Sequence, residues 1–121
     1  MSKKEIAESF LKLASSGRVR EAYANYVHPQ FRHHNAYFKG DRQSLLTGME
    51  ENAKQFPDKT YHTLRAVAEG NLVAIHGRVA LRPDFQWSVI HIFRFEGDLI
   101  IEEWEASQEV PEESPNENGI F

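Results

Sequence analysis

The sequence predicts an α+β fold in which three N-terminal helices cover one face of a curved, mainly antiparallel sheet. Apolar residues recur at helical spacing as far as Phe56 and at every second position from Thr60 onward. The strand-like runs are joined by Gly70-Asn71, Pro83-Asp84 and Gly97-Asp98, turns short enough to require antiparallel neighbours.

Residues 2–5 read S-K-K-E, the spacing of a capping box, so a helix begins there. Ile6, Phe10, Leu13 and Ala14 form its apolar stripe and Gly17 closes it. A second helix over 19–26 carries Ala22, Tyr23 and Tyr26 on one side, and Pro29 forbids its continuation. The two make a hairpin. An extended stretch is expected from Phe31 to Phe38. Gly40-Asp41 then supplies a turn and an N-cap for a third helix with the stripe Leu45, Leu46, Met49, Ala53 and Phe56, stopped by Pro57. Strands are expected at 60–69, 72–82, 86–96 and 99–108. Residues 1–108 read as a single domain. Residues 109–121 form an acidic tail rich in Pro and Asn, whose last two residues, Ile120 and Phe121, are apolar enough to dock back.

The chain has 121 residues and a mass of 14.0 kDa, which suits one core. It contains no cysteine, which excludes disulfides, Cys-ligated zinc, iron–sulfur clusters and thiol nucleophiles. With 14 Lys and Arg against 18 Asp and Glu the net charge is −4, and the cations are scattered, so a nucleic-acid surface is not expected. The N-terminus lacks the apolar run of a signal peptide, and no segment has the length of a membrane span. A soluble cytoplasmic protein with no membrane partner is expected.

Alternation sorts the strands into faces that are both largely apolar. Helices cover one. The other is expected to meet a second copy in a twofold dimer around Ile90, Ile92, Ile100 and Trp104, unless a loop or the acidic tail lies across it. If Phe95 opposes Leu99 across the last turn, His91 opposes Glu103, Phe93 opposes Ile101, and Glu105 lies diagonal to His91. His76 and Arg78 on the preceding strand complete a candidate cluster with His91, Glu103 and Glu105 in a cavity lined by aromatic and aliphatic groups.

The segments H-H-N-A-Y-F-K-G-D-R-Q-S-L from His33, L-V-A-I-H-G-R-V-A-L-R-P-D from Leu72, H-I-F-R-F-E-G-D-L-I-I-E-E-W-E from His91 and N-G-I-F from Asn118 resemble the SnoaL-like polyketide cyclases of the nuclear transport factor 2-like superfamily. The resemblance runs over nearly the whole chain. It implies a cone-shaped fold, a strongly bent sheet enclosing a pocket closed by helices, and dimerisation through the sheet. It also implies an intramolecular aldol condensation without metal or organic cofactor, with a carboxylate as acid/base. Position by position, the family's His-Asn pair falls on His34 and Asn35, with Ala36 where a Pro is usual. The family's strand histidine falls on His76, and the acidic residue after the Trp falls on Glu105. Two positions differ: His91 stands where an Asp is usual, and Glu103 where a His is usual before Trp104.

The expected function is a cofactor-independent acid/base enzyme acting on a small apolar carbonyl compound by enolisation, of aldol cyclase, isomerase or dehydratase type. His91 is the expected base, Glu103 or Glu105 holds its tautomer, and His76 or Arg78 donates to the enolate oxygen. His34 and Asn35 are candidates for ligand binding, and Tyr26, Tyr37, Trp87 and Phe93 for lining the cavity. No metal is expected, because the sequence has neither a helical His-x-x-x-His pair nor a tight His-x-His. The alternative is a non-catalytic ligand-binding or interaction module on the same fold.

Overall fold

The computed structural model describes residues 1–121. Helix α1 (Lys3–Ser15) starts on the expected capping box: Ser2 Oγ accepts from the Glu5 amide at 3.1 Å and Glu5 Oε1 from the Ser2 amide at 3.0 Å. It buries Ile6, Ala7, Phe10, Leu11 and Ala14. Gly17, at φ +93°, turns the chain into α2 (Val19–Tyr26). This helix passes directly into strand β1 (Val27–His33), so the expected stretch 31–38 is displaced toward the N-terminus. Pro29 is tolerated because β1 lies at the edge of the sheet and is paired on one side only. The chain leaves β1 at His33, where side chains of His33 and Asn35 accept the amides of Asn35 and Tyr37 and bend it toward α3 (Arg42–Gln55). Asp41 caps α3 by accepting from the Ser44 amide at 3.0 Å.

Strands β2 (Thr60–Glu69), β3 (Leu72–Arg82), β4 (Phe85–Glu96) and β5 (Leu99–Glu109) follow as an antiparallel meander close to the expected spans. With β1 added parallel to β5, the sheet order is β1-β5-β4-β3-β2. The sheet is therefore mixed and open. Its inner face packs on the helices through edge-on aromatic contacts, Phe93 with Phe10 at 5.9 Å and Phe31 with Tyr23 at 6.1 Å. Gly77 lies on this face under the Tyr61 ring, where a Cβ would come within 2.6 Å of Cε2. We expect Gly77→Ala to cost about 1–3 kcal/mol of stability, read by urea denaturation, because the ring has to shift to admit the methyl group.

The β4–β5 register differs from the expected one. Glu96 opposes Leu99 and Phe95 opposes Ile100, and then a bulge absorbs Ile101 so that Arg94 opposes Glu102, Phe93 opposes Glu103 and His91 opposes Glu105. The expected pairs of His91 with Glu103 and Phe93 with Ile101 are not formed. The tight turn at Gly97-Asp98 starts the ladder one residue later than assumed, and the bulge shifts it again. Ile100 consequently lies fully buried in the core and not on the outer face.

On the outer face Ile90, Ile92 and Val67 are 48%, 38% and 68% exposed. The C-terminal segment reaches this face at one place: the Phe121 ring stacks on His76, lies under the Arg78 guanidinium at 4.1 Å, and its carbonyl accepts from Arg65 at 3.3 Å. Beside β1, Glu102 is held by Arg32 Nε at 2.9 Å, Arg94 Nε at 3.0 Å and His34 Nε2 at 2.8 Å. These bonds pull its carboxyl down to about 2 from 4.5. The clamp contributes fully above the ordinary value and is lost as pH falls from 4.5 toward 2. The urea midpoint of the wild type should fall through that window, while that of Glu102→Gln should be lower at neutral pH and flatter. No helix is long and apolar enough to cross a membrane.

Candidate active site

Between the inner sheet face and helices α1 and α3 lies a cavity of about 340 Å³, within the range of small-molecule sites. Phe10, Met49, Val79, Val89 and Trp87 give it an apolar wall, and Tyr37, 86% exposed, stands at its rim. One end is polar. His91 comes from β4, Glu103 and Glu105 from β5 two residues apart and therefore on one face, and Asn35 from the turn after β1.

His91 Nε2 lies 3.3 Å from Glu105 Oε1 and 3.6 Å from Glu103 Oε1. Asn35 Nδ2 donates to Glu105 Oε2 at 3.2 Å. The imidazole lies parallel to the Phe93 ring, at 5.6 Å and 5°, and Phe93 is itself fully buried beneath it. Burial alone would depress the His91 pKa, but the hydrogen bond and charge of Glu105 and the charge of Glu103 outweigh it and leave it raised. Burial pushes Glu103 up to about 8, against the pull of His91 and with the help of the neighbouring Glu105 charge. Glu105 is also raised by burial, yet His91 and Asn35 bring it below its ordinary value. The two carboxyl groups are thus pushed apart, Glu103 toward its protonated form and Glu105 toward its ionised form, and His91 is drawn toward its charged form.

The remaining sequence candidates divide. Asn35, Tyr37 and Trp87 line the cavity, and the Trp87 indole N–H is buried there without a partner. Phe93 forms the floor under His91 and does not reach the cavity. Tyr26 borders a separate surface depression with Ser9 and Lys12. His76 and Arg78 do not join the cluster: the register sets Ile75, not His76, level with His91, so both face outward. His76 Nε2 is 2.8 Å from Ser88 Oγ, and its other ring nitrogen meets Arg65. His34 likewise faces outward, stacked on Trp104 at 5.2 Å and 4°. Its neighbour His33 is the buried one, bonded through Nε2 to the Lys39 carbonyl at 2.7 Å. Adjacent residues of a strand point to opposite faces, so only one of this pair can turn inward, and the alternation of β1 (Phe31 in, Arg32 out) assigns that place to His33.

His91, Glu103 and Glu105 each present one ligand atom within 4.8 Å of the others. One imidazole and two carboxylates suit a divalent cation, which would have to displace the proton that burial keeps on Glu103.

The sequence matches the SnoaL-like domain over residues 7–103. No curated protein matches it. Among solved structures it is similar to wild-type IdmH from Streptomyces antibioticus, provisionally named a polyketide cyclase (19% identity, 89% of this chain and 93% of that one, TM-score 0.73). It is also similar to a protein from Acidithiobacillus ferrooxidans with the same provisional name (20%, 89% and 92%, TM-score 0.72). A third is an uncharacterised cystatin-fold protein from Novosphingobium aromaticivorans (17%, 88% and 98%, TM-score 0.75). At these identities the likeness is one of fold.

Proposed function

We propose, from the premise that this chain belongs to the SnoaL-like domain family, that it is a cofactor-independent acid/base enzyme enolising a small apolar carbonyl compound, with Glu105 as base and Glu103 as acid. The observation that carries this reading is two carboxyl groups of one cavity in unlike surroundings: Glu103 is buried, which pushes it up to about 8, while Glu105 lies 3.3 Å from His91 and 3.2 Å from Asn35, which bring it below its ordinary value. Carboxyl pairs with separated pKa values divide the acid and base roles between them.

The Glu105 carboxylate takes a proton from the carbon next to the substrate carbonyl. Charge moves to the carbonyl oxygen, which accepts the Glu103 O–H as it becomes an enolate or enol. His91 stays protonated and fixes the orientation of Glu105. It is a positioning residue in this scheme, with its ring seated on Phe93. Return of the proton to a different carbon would give isomerisation, and attack of the enolate on a second carbonyl would give cyclisation. The apolar wall selects substrates by size and excludes water.

The test follows deuterium uptake at the α carbon of alpha-tetralone, an apolar ketone small enough for the cavity. Wild type should accelerate exchange over buffer, and Glu105→Gln should reduce the acceleration by about 100-fold. Equal exchange by the two proteins overturns the assignment.

We also propose that a second copy covers the outer face. The apolar centre of that face, Val67, Ile90 and Ile92, is left open by this chain's own helices and tail. Its rim carries both signs of charge in Arg65, Arg94 and Glu69, which lets the surface pair with itself about a twofold axis. Light scattering should give twice the 14.0 kDa chain mass, and Ile92→Glu should give the chain mass. A wild-type monomer at micromolar concentration overturns the dimer.

A further inference from the structure

The acid/base scheme leaves one half-buried cationic side chain of the cavity unused. Lys59 lies in the wall, just ahead of β2, and is the only Lys or Arg there. Its Nζ donates to Asn52 Oδ1 at 2.7 Å, and no carboxylate comes within ion-pair distance of it. The only acidic residues in the wall, Glu103 and Glu105, belong to the His91 cluster. Lys59 is therefore the one ammonium or guanidinium of the cavity and has no carboxylate beside it, and burial lowers its pKa.

Lys59 and the cluster stand apart. Tyr61, two residues after Lys59, is level with Val79 and Trp87, and His91 is two inward positions further along β4 from Trp87, a separation of about 13 Å along the strand. Trp87 also contributes the unpartnered indole N–H, and Asn52 retains its amide N–H₂ for a ligand while its oxygen holds Lys59. A cation and two neutral donors with no competing acceptor of negative charge describe a seat for an anion.

We propose that the ligand is an apolar carbonyl compound that also bears a carboxylate, seated on Lys59 and Asn52 while the carbonyl lies against Glu103 and Glu105. This deepens the enolisation reading and rests on it for the carbonyl end, whereas the carboxylate seat stands on Lys59 alone. The charged end fixes which way round an otherwise featureless apolar molecule enters. It also makes the reacting end the one that reaches the carboxyl pair.

The experiment measures binding, so its failure is separate from failure of the exchange test. Naphthylacetate and its methyl ester, equal in apolar body and different in charge, are titrated into the full chain by calorimetry. Wild type should bind the acid at least about tenfold more tightly than the ester, the effect of one charge-assisted bond. Lys59→Met should bring the two within about twofold by weakening the acid alone, and Lys59→Arg should restore most of the preference. Equal binding of acid and ester by wild type, or a preference that persists in Lys59→Met, overturns the proposal. If alpha-tetralone exchange fails while the acid preference holds, the acid/base assignment falls and the anion seat stands.

Discussion

Phe93→Ala should destabilise the protein by about 3–5 kcal/mol, the cost of emptying a fully buried aromatic site, out of a total that for domains of this kind is about 5–15 kcal/mol. Phe93 sits at the centre of β4, closes against Phe10 at 5.9 Å and carries His91 on its other side. Neither neighbour can follow it inward, since Phe10 is tied to α1 and His91 to the carboxyl pair. The void therefore persists. Phe93→Leu fills most of the volume and should recover stability to within about 1.5 kcal/mol of wild type, but it removes the flat surface on which the imidazole rests. Denaturation midpoints check the first point, and a loss below about 1 kcal/mol for the alanine variant would contradict it. If the stacked ring orients His91, the leucine variant should lose exchange activity despite its near-normal stability.

Glu103→Gln should be more stable than wild type at pH 8 and indistinguishable from it at pH 4. The sign follows from linkage. Glu103 ionises near 4.5 in the unfolded chain and is pushed up to about 8 by burial in the folded one. Between those values the unfolded state binds fewer protons, so wild-type stability declines as pH rises from 4.5 to 8 and levels off above. Glutamine has the shape and donor of the protonated acid and no charge to bury, so it escapes the decline. The gain at pH 8 should amount to several kcal/mol. Urea melts of both proteins at several pH values measure it, and parallel pH profiles would refute the buried neutral carboxyl group. The same substitution keeps a hydrogen-bond donor but cannot give up a proton, so it should retain enolate stabilisation better than Glu103→Leu.

Helix positions and strand spans were legible in the sequence because capping boxes, turn residues and periodicity are local signals. S-K-K-E, Gly17, Asp41 and the three tight turns each mark an element that the structure contains. What was not legible depends on how strands match one another. Alternation divides β3 into two sets but does not say which set shares a face with His91, and that choice turned His76 and Arg78 outward. The bulge at Ile101 leaves no mark in the composition of β5, so His91 was paired with Glu103 when it opposes Glu105. Strand β1 was displaced because an edge strand paired on one side tolerates Pro29, which reads from sequence as a break. The core of the cluster was found because His91, Glu103 and Glu105 keep the same face under either register. Their protonation depends on burial, which no residue pattern encodes. Lys59 escaped notice for the same reason: a lysine beside Pro57 and Asp58 looks like an ordinary exposed loop residue.

The clamp on Glu102 has a consequence for the opposite side of the sheet. Ile100 faces the core, and strict alternation from there would turn Glu102 and Trp104 inward and leave Glu103 and Glu105 in solvent. Continued without the bulge, the ladder that begins at Ile100 would not build the carboxyl pair. Arg32, His34 and Arg94 hold Glu102 outside and thereby select the bulged register. Three side chains that never touch the cavity act as a register pin, so the identity of the two acids within it is decided from the far face.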